Sequence, residues 1–570
     1  MSALLHQALV FYKAGDFARV TGEIAPDAIG LTKPEPQLSL VLAQSFIKQD
    51  LKAEAADWYC RAAGPMGEKG AQLLTLAADL YARCRKPSLA IEAARGAMRL
   101  TPSDPKTWDI YRKCLREYLL FEECAASNAD LLRRMKAGDP PALALEKPLD
   151  HISWCAAEAI NARITRMDGD PFDPAVRAAR HTRPHRWGDR IRIGYLSNDF
   201  SSAHATMILM QGVLAAHDRT EFDITLFCHT PDALVARDSG LRATYGRIVP
   251  VGHLTDEDAA GLIRAEEVDI LVDLKGHTKD ARLGLVNSGL APIQVAWLGF
   301  PGSGTGIDCD YVISDRIVTP ETSKPHYHEK LCRLPDCYQP NDSRYRPLPA
   351  AADRSTLGLP ADRFVFASFS EQRKITPETF DLWMRILRAT GDSLLWLKVE
   401  DPFVRQNVLD AAGRAGIAPN RIVFAGWAAY GDHLARLQAA DLCLDTFPYN
   451  GHTTTSDALW AGLPVATRKG SHFAARVSES LLSAVDLAGD LVAEDDDGFV
   501  DLCVALYRNP ERLAELRRRL TTNRTRAPLF DTLRFTRHLE SAYRMMVERA
   551  RSGLAPDHID VPAIDGPPAT

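Results

Sequence analysis

From Arg190 onward the chain repeats one pattern, and that pattern leaves few folds open. Short apolar, β-branched runs alternate with spans of helical periodicity. The first set is RIRIGYLSNDF, FDITLFCHT, VDILVDLKGHT, IQVAWLGFPG and YVISD. A second set, FVFASFS, SLLWLKVE, RIVFAGW, DLCLDTFP and PVATRKG, follows a Pro- and Arg-rich stretch, YQPNDSRYRPLPAAADR. Strands separated by helices run parallel, and a parallel sheet needs cover on both faces. The pattern therefore predicts the α/β class, as two successive Rossmann-like domains facing one another.

The first ~135 residues follow a different rule. Tyr12, Phe46, Leu80 and Cys114 stand 34 residues apart, as do Leu9, Ala43, Ala77 and Tyr111. A mostly small set, Gly22, Ala56, Ala90 and Cys124, keeps the same period. Large and small residues at fixed offsets of 34 are the signature of stacked helix-turn-helix repeats of the tetratricopeptide kind. A plain helical bundle with accidental spacing would also accommodate them, and neither reading implies catalysis. The stretch KAGDPPALALEKPLD reads as a joint. The expected domains are helical repeats over 1–150, a first Rossmann-like domain with a linker helix over 151–345, and a second over 346–550. The Pro-rich residues 551–570 read as a disordered tail.

Composition sets outer limits. A net charge of −6 gives no support to a nucleic-acid or anionic-membrane partner. The 11 cysteines are scattered, without CxxC, which suits free thiols in a reducing compartment. The N-terminus lacks the basic and apolar regions of a signal peptide, and no run of about 20 apolar residues spans a bilayer. A cytoplasmic protein is expected.

Ligands of doubly wound sheets bind beyond the carboxyl ends of strands, so the residues after each strand are the candidates. After DLCLD comes TFPYNGHTTTSDALW, with Asn450 and Gly451 in a turn and Thr453, Thr454 and Thr455 in the first turn of a helix. Unpaired N–H groups and the helix dipole favour an anion there, and threonine hydroxyls add donors. The segment reads as a diphosphate cradle, with Asp457 one turn on to accept from ribose or sugar hydroxyls. Ordinary N-capping needs only one threonine. After FVFASFS, Lys374 could neutralise a pyrophosphate and stabilise it as it departs; a solvated surface lysine is the plain alternative. After RIVFAGW, His433 and Arg436 stand three apart on one helix face and could border a base, or be two surface polar residues. In the first set His204 and His277 follow strands, where imidazole suits proton transfer from an attacking hydroxyl, or serves structure alone. Gly299 to Gly306, with Gly302 at its middle, is a glycine-rich loop suited to close backbone approach near the same cleft, but it is not GxGxxG. His326 and His328 form H-x-H without a matching carboxylate or Cys, so no metal is expected, and Walker A, GxSxG and HExxH are missing from the sequence.

Taken together, PYNGHTTTSDALWAGLPV, APIQVAWLGFPGSGTGIDCDYVISD, RIRIGYLSNDF, HEKLCRLPDCY, DLKGHTKDAR and NRIVFAG resemble the O-linked N-acetylglucosamine transferases and their SPINDLY relatives, in that family's order, from about Arg190 to Met546. The resemblance implies a GT-B arrangement of the two Rossmann-like domains behind helical repeats. It implies an inverting, metal-independent transfer of N-acetylglucosamine from UDP-GlcNAc to Ser/Thr hydroxyls of proteins, with no cofactor and UDP as product. It gives Lys374 the diphosphate and the leaving UDP, His433 the uracil region with Arg436 beside it, and His452 with Thr453 and Thr454 the phosphates. Asp457 takes the ribose, and His204 stands near the acceptor as a candidate general base. Protein acceptors would be met through the repeats. The chain departs from the family at Glu371, a glutamine in relatives, and at Tyr430, a lysine in the animal enzymes. The loop at His204 is about one residue longer than in the animal enzymes. No long domain separates the two α/β sets, and the repeats number about four rather than a dozen. Two other readings stay open: SPINDLY-like fucose transfer from GDP-fucose or another sugar, and a repeat-bearing adaptor with weak or no catalysis.

Overall fold

A computed structural model describes residues 2–31 and 34–564. The chain divides into two compact units.

The first unit comprises the chain up to Glu146 with two short later stretches, 375–377 and 399–411. Its helices include Pro36–Lys48, Lys52–Ala63, Gly70–Arg83, Pro87–Leu100, Pro105–Glu117 and Phe121–Lys136, each packed on the next. The period-34 positions explain the packing. Ala43, Ala77, Ala56 and Ala90 are all fully buried, because only a small side chain lets neighbouring helix axes approach. Gly22 breaks the series: it is exposed in a π-helical turn, Val20–Ile24. At the far end the buried Glu146 carboxylate accepts from Arg112 Nε at 2.5 Å and Arg116 Nη1 at 2.7 Å, so its charge is paired.

The second unit holds both sheets. The first has strands β1 (Ile191–Ser197), β2 (Phe222–Cys228), β3 (Arg247–Pro250), β4 (Ile270–Asp273), β5 (Ile293–Ala296), β6 (Tyr311–Asp315) and β7 (Lys330–Leu334). The second has β8 (Val365–Ser368), β9 (Leu394–Lys398), β10 (Ile422–Ala425), β11 (Leu442–Leu444), β12 (Val465–Arg468) and β13 (Val492–Ala493). A last strand, β14 (Ile559–Asp560), joins the first sheet. The orders are β14-β7-β6-β5-β4-β1-β2-β3 and β10-β9-β8-β11-β12-β13, with parallel pairing throughout. β4, Ile-Leu-Val-Asp, is buried at every position, as a strand covered on both faces must be. Each sheet reverses strand order once, at β1/β4 and at β8/β11, which places a ligand crevice beyond those strand ends.

Two boundaries differ from the sequence reading. The final helix, Thr532–Arg551, returns to the first sheet instead of completing the second domain. Its Leu539, Ala542 and Tyr543 join Ile193 and Tyr195 in one core, and the Tyr543 and Tyr195 hydroxyls lie 3.2 Å apart. The segment 551–564 is not the disordered tail its composition predicted: Ile559 pairs with Cys332, and Ile559 and Val561 are buried. Proline content describes local stiffness and cannot register an apolar side chain that a distant sheet edge will cover. Residues 565–570 lie outside the described residues. No helix among the described residues is long and apolar enough to cross a membrane.

Candidate active site

A cleft of about 820 Å³ opens where the carboxyl ends of both sheets converge. From the first sheet it takes Asp199 and His204 after β1 and Lys275 after β4. From the second it takes Glu371 and Lys374 after β8, Lys398 at the end of β9, Trp427 after β10, and Tyr449, His452, Thr453 and Thr454 after β11.

The cradle is built from Asp445 upward. This buried carboxylate follows β11 and accepts from the backbone N–H of Thr446 at 2.8 Å and of Gly451 at 2.7 Å, and from the Thr467 hydroxyl at 2.7 Å. It thereby folds the Asn-Gly turn back on the strand. Asn450 is fully buried, and its side-chain amide donates to the Thr446 carbonyl at 3.1 Å. Gly451 is required by space: a Cβ there would stand 2.6 Å from both Thr454 Oγ1 and Thr455 Oγ1. The helix Thr453–Trp460 starts at once, and no side chain caps it, for the His452 ring is turned to the Ala474 carbonyl at 3.3 Å. Thr453 and Thr454 line the cleft; Thr455 is buried, its Oγ1 2.9 Å from Ser478 Oγ. An uncapped helix start facing a cleft leaves backbone N–H donors that favour an anion.

Lys374 completes it. The side chain is buried, and its Nζ donates to the Asn450 carbonyl at 2.9 Å and sits 3.9 Å from the Tyr449 ring centroid. Burial pushes the ammonium pKa down to about 8, against the pull of Glu371. Glu371 pairs with Arg373 at 2.8 Å, its side chain 60% exposed. Burial raises that carboxyl, but Arg373 and Lys374 outweigh it and hold it below the ordinary range. The cationic partners thus offset the repulsion a carboxylate here would otherwise exert on an anion. His452 lies at 4.8 Å from the Tyr449 ring, and burial, then Lys374, keep it neutral.

Asp457 reaches the cleft but is already engaged. Its Oδ1 accepts from the Tyr430 hydroxyl at 2.7 Å and lies 3.5 Å from Arg346 Nη2. Burial raises its pKa, with Arg346 and Tyr430 opposing. Tyr430 thus shapes the site through Asp457.

On the opposite wall His204 caps the helix Ala205–Ala216, its Nδ1 accepting from the Thr206 N–H at 3.3 Å. Its Nε2 stands 3.5 Å from Asp199 Oδ1, and Asp199 accepts from buried Lys275 Nζ at 3.0 Å. Burial lowers the His204 pKa, Asp199 opposing.

Four expected residues do not line this cleft. His277 is buried, its Nε2 2.9 Å from the Thr305 carbonyl and its ring edge-on to Phe300; burial brings its pKa to about 4. The β4 loop turns Lys275 to the cleft in its place. Gly302 packs on the Phe300 ring, 3.0 Å from an added Cβ, and borders smaller cavities. His433 and Arg436 stand behind Phe369, which lines the cleft: His433 meets that ring at 5.4 Å, and the Arg436 guanidinium lies 4.7 Å from it. Arg436 Nε donates to His433 Nδ1 at 3.2 Å, and burial, then Arg436, bring the His433 pKa to about 3. Helical spacing puts two residues on one face without saying which neighbour covers that face.

Asp199, Lys275, Lys398 and Trp427, the last 73% exposed, were not singled out from sequence. Each stands at or within a few residues of a strand's carboxyl end, so the rule that found Lys374 reaches them too. Among the described residues no three His, Cys, Asp or Glu side chains cluster as a metal site.

Comparison with known proteins agrees with this geometry. The chain is 34% identical over 382 residues to a protein of Arabidopsis thaliana described as a probable UDP-N-acetylglucosamine–peptide N-acetylglucosaminyltransferase SEC, covering 65% of this chain and 38% of that one. It is 34% identical over 378 residues to the Petunia hybrida protein described by the same activity and named SPINDLY, covering 64% and 39%. The chain therefore spans well under half the length of these curated relatives. Among solved structures, a mutant of the Thermobaculum terrenum O-GlcNAc transferase superposes with a TM-score of 0.65 at 28% identity, over 96% of this chain and 98% of that one. The sequence model described as Glycosyl transferase family 41 matches residues 175–346 and 346–539. With strands β1 to β13, the crossover between the sheets and the cradle inside those matches, the chain belongs to glycosyl transferase family 41.

Proposed function

We propose that this chain transfers N-acetylglucosamine from UDP-GlcNAc to Ser or Thr hydroxyls of proteins, by direct displacement with inversion. The observation that carries the reading is the uncapped start of the helix Thr453–Trp460 beside the Lys374 ammonium, both in one cleft at the strand ends. Displacement at the anomeric carbon leaves negative charge on the departing diphosphate. Lys374 and the N–H groups of the first helical turn are already in place to receive it, so little reorganisation is needed as charge develops. In this reading no cofactor or metal takes part, and UDP is the product. Thr453 and Thr454 add hydroxyl donors, His452 borders the phosphates, and Asp457, held by Tyr430, accepts from the ribose. The acceptor hydroxyl approaches from the wall of Asp199, His204 and Lys275. There His204 as base must first give up the Thr206 N–H, because Nδ1 already accepts it. Proteins are the partner class, with the helical repeats as a candidate surface for them. Titration calorimetry with UDP against GDP tests the donor: UDP binding with GDP at least tenfold weaker is expected, and a preference for GDP would move the reading to a fucose donor.

A further inference from the structure

Both helices that open on the cleft end at a second cavity, of about 570 Å³. His204 caps one in the cleft, and Ala216, its last residue, lines the cavity; Thr453 begins the other in the cleft, and Trp460, its last residue, lines the cavity. Between them lies the crossover joining the two sheets, at Ser343 and Arg344.

The walls are aromatic. Trp460 and Phe530 stand 5.1 Å apart, and Leu533, 45% exposed, also lines the cavity. Two guanidiniums line it as well. Arg524 Nη1 donates to the Trp460 carbonyl at 2.7 Å, and the group lies 5.5 Å from the Trp460 ring. Burial lowers its pKa and no carboxylate offsets the cost. Arg344 is exposed and lies over the Tyr345 ring at 5.4 Å. Among the described residues neither arginine makes an ion pair. The lining carboxylate, Asp531, accepts from the Arg534 N–H at 2.9 Å.

We propose that this cavity is a second ligand site, for a small molecule carrying one phosphate or carboxylate on an aromatic or apolar body. Its volume is that of small-molecule sites, which favour such junctions between domains. Guanidinium forks match planar or tetrahedral oxyanions, and the indole and phenyl faces take the body. A ligand there touches the far ends of both helices that open on the cleft, together with the crossover between the sheets.

The test is calorimetry of the full chain with phenyl phosphate, phenylacetate and inorganic phosphate. Saturable binding of phenyl phosphate or phenylacetate is expected, and which binds tighter identifies the anion. Binding should persist in Lys374→Ala, which removes the ammonium beside the cradle in the cleft. It should weaken about tenfold or more in Arg344→Gln, where a charged hydrogen bond is lost from an exposed residue whose change leaves the fold intact. Leu533→Trp, which fills the rim, should weaken it as well. Loss in Lys374→Ala with retention in Arg344→Gln would place the anion in the cleft and overturn the proposal. So would inorganic phosphate binding as tightly as phenyl phosphate, or no saturation with any probe below about 10 mM.

Discussion

Replacing Lys374 by Ala isolates the electrostatic part of the proposed chemistry. The ammonium is buried and fixed by the Asn450 carbonyl at 2.9 Å and the Tyr449 ring at 3.9 Å, so its desolvation is complete before any substrate arrives. A preorganised donor of this kind is worth about 3–4 kcal/mol to a developing oxyanion, or roughly a hundred- to a thousandfold in kcat. Arg373, the nearest other cation on this loop, already commits its Nε to Glu371 at 2.8 Å. The truncation also leaves the buried Asn450 carbonyl without its donor, a loss of about 1–3 kcal/mol that removal of a desolvated charge partly offsets. A small change in Tm is therefore expected beside a large one in rate. The assay is UDP release from UDP-GlcNAc with a mixed Ser/Thr peptide pool, with UDP calorimetry and thermal unfolding run in parallel. The ammonium's pKa of about 8 adds a second signature. UDP affinity of the parent should be full below pH 8 and fall above it, as the cation is lost, and Lys374→Ala should show no such fall. A variant within threefold of the parent in kcat, or with an unchanged pH profile for UDP, would refute the argument.

Three further outcomes follow from the same geometry. Glu371→Gln removes a largely exposed carboxylate that lines the cleft beside the proposed diphosphate site; UDP should bind about two- to fivefold tighter, with the gain shrinking as salt is raised. Gly451→Ala drives a methyl into Thr454 Oγ1 and Thr455 Oγ1; calorimetry should show UDP affinity falling tenfold or more, about 1.4 kcal/mol, while the far-ultraviolet dichroism stays that of the parent. His277 is held neutral at a pKa near 4 against about 6.5 unfolded, so the unfolded chain binds the extra proton; its contribution is intact above pH 6.5 and is lost as pH falls toward 4, about 3 kcal/mol in all. Urea unfolding between pH 7 and 4 should be less pH-dependent in His277→Gln, and an unchanged slope would count against this.

The alternation of strand-like and helical runs determined the class, two parallel sheets with helical repeats before them, because period and burial on both faces are local properties that a linear pattern records. The strand, turn and uncapped helix start were legible for the same reason: Leu442 to Trp460 is one contiguous strand-turn-helix segment, and its free N–H groups belong to its own backbone. Lys374 was reached by the rule that ligands gather at strand ends. What sequence could not decide is which strand-end side chains meet across the cleft and which are covered. His277 and Lys275 stand two residues apart on one loop, yet only Lys275 faces the cleft, since Phe300, in the loop after the neighbouring strand β5, covers the imidazole. His433 and Arg436 lie behind Phe369 for a like reason. The return of Thr532–Arg551 to the first sheet, and the pairing of Ile559 with Cys332, join residues more than 200 apart along the chain. Such contacts depend on three-dimensional closure of apolar surface, which no local periodicity encodes, and only the folded chain decided them.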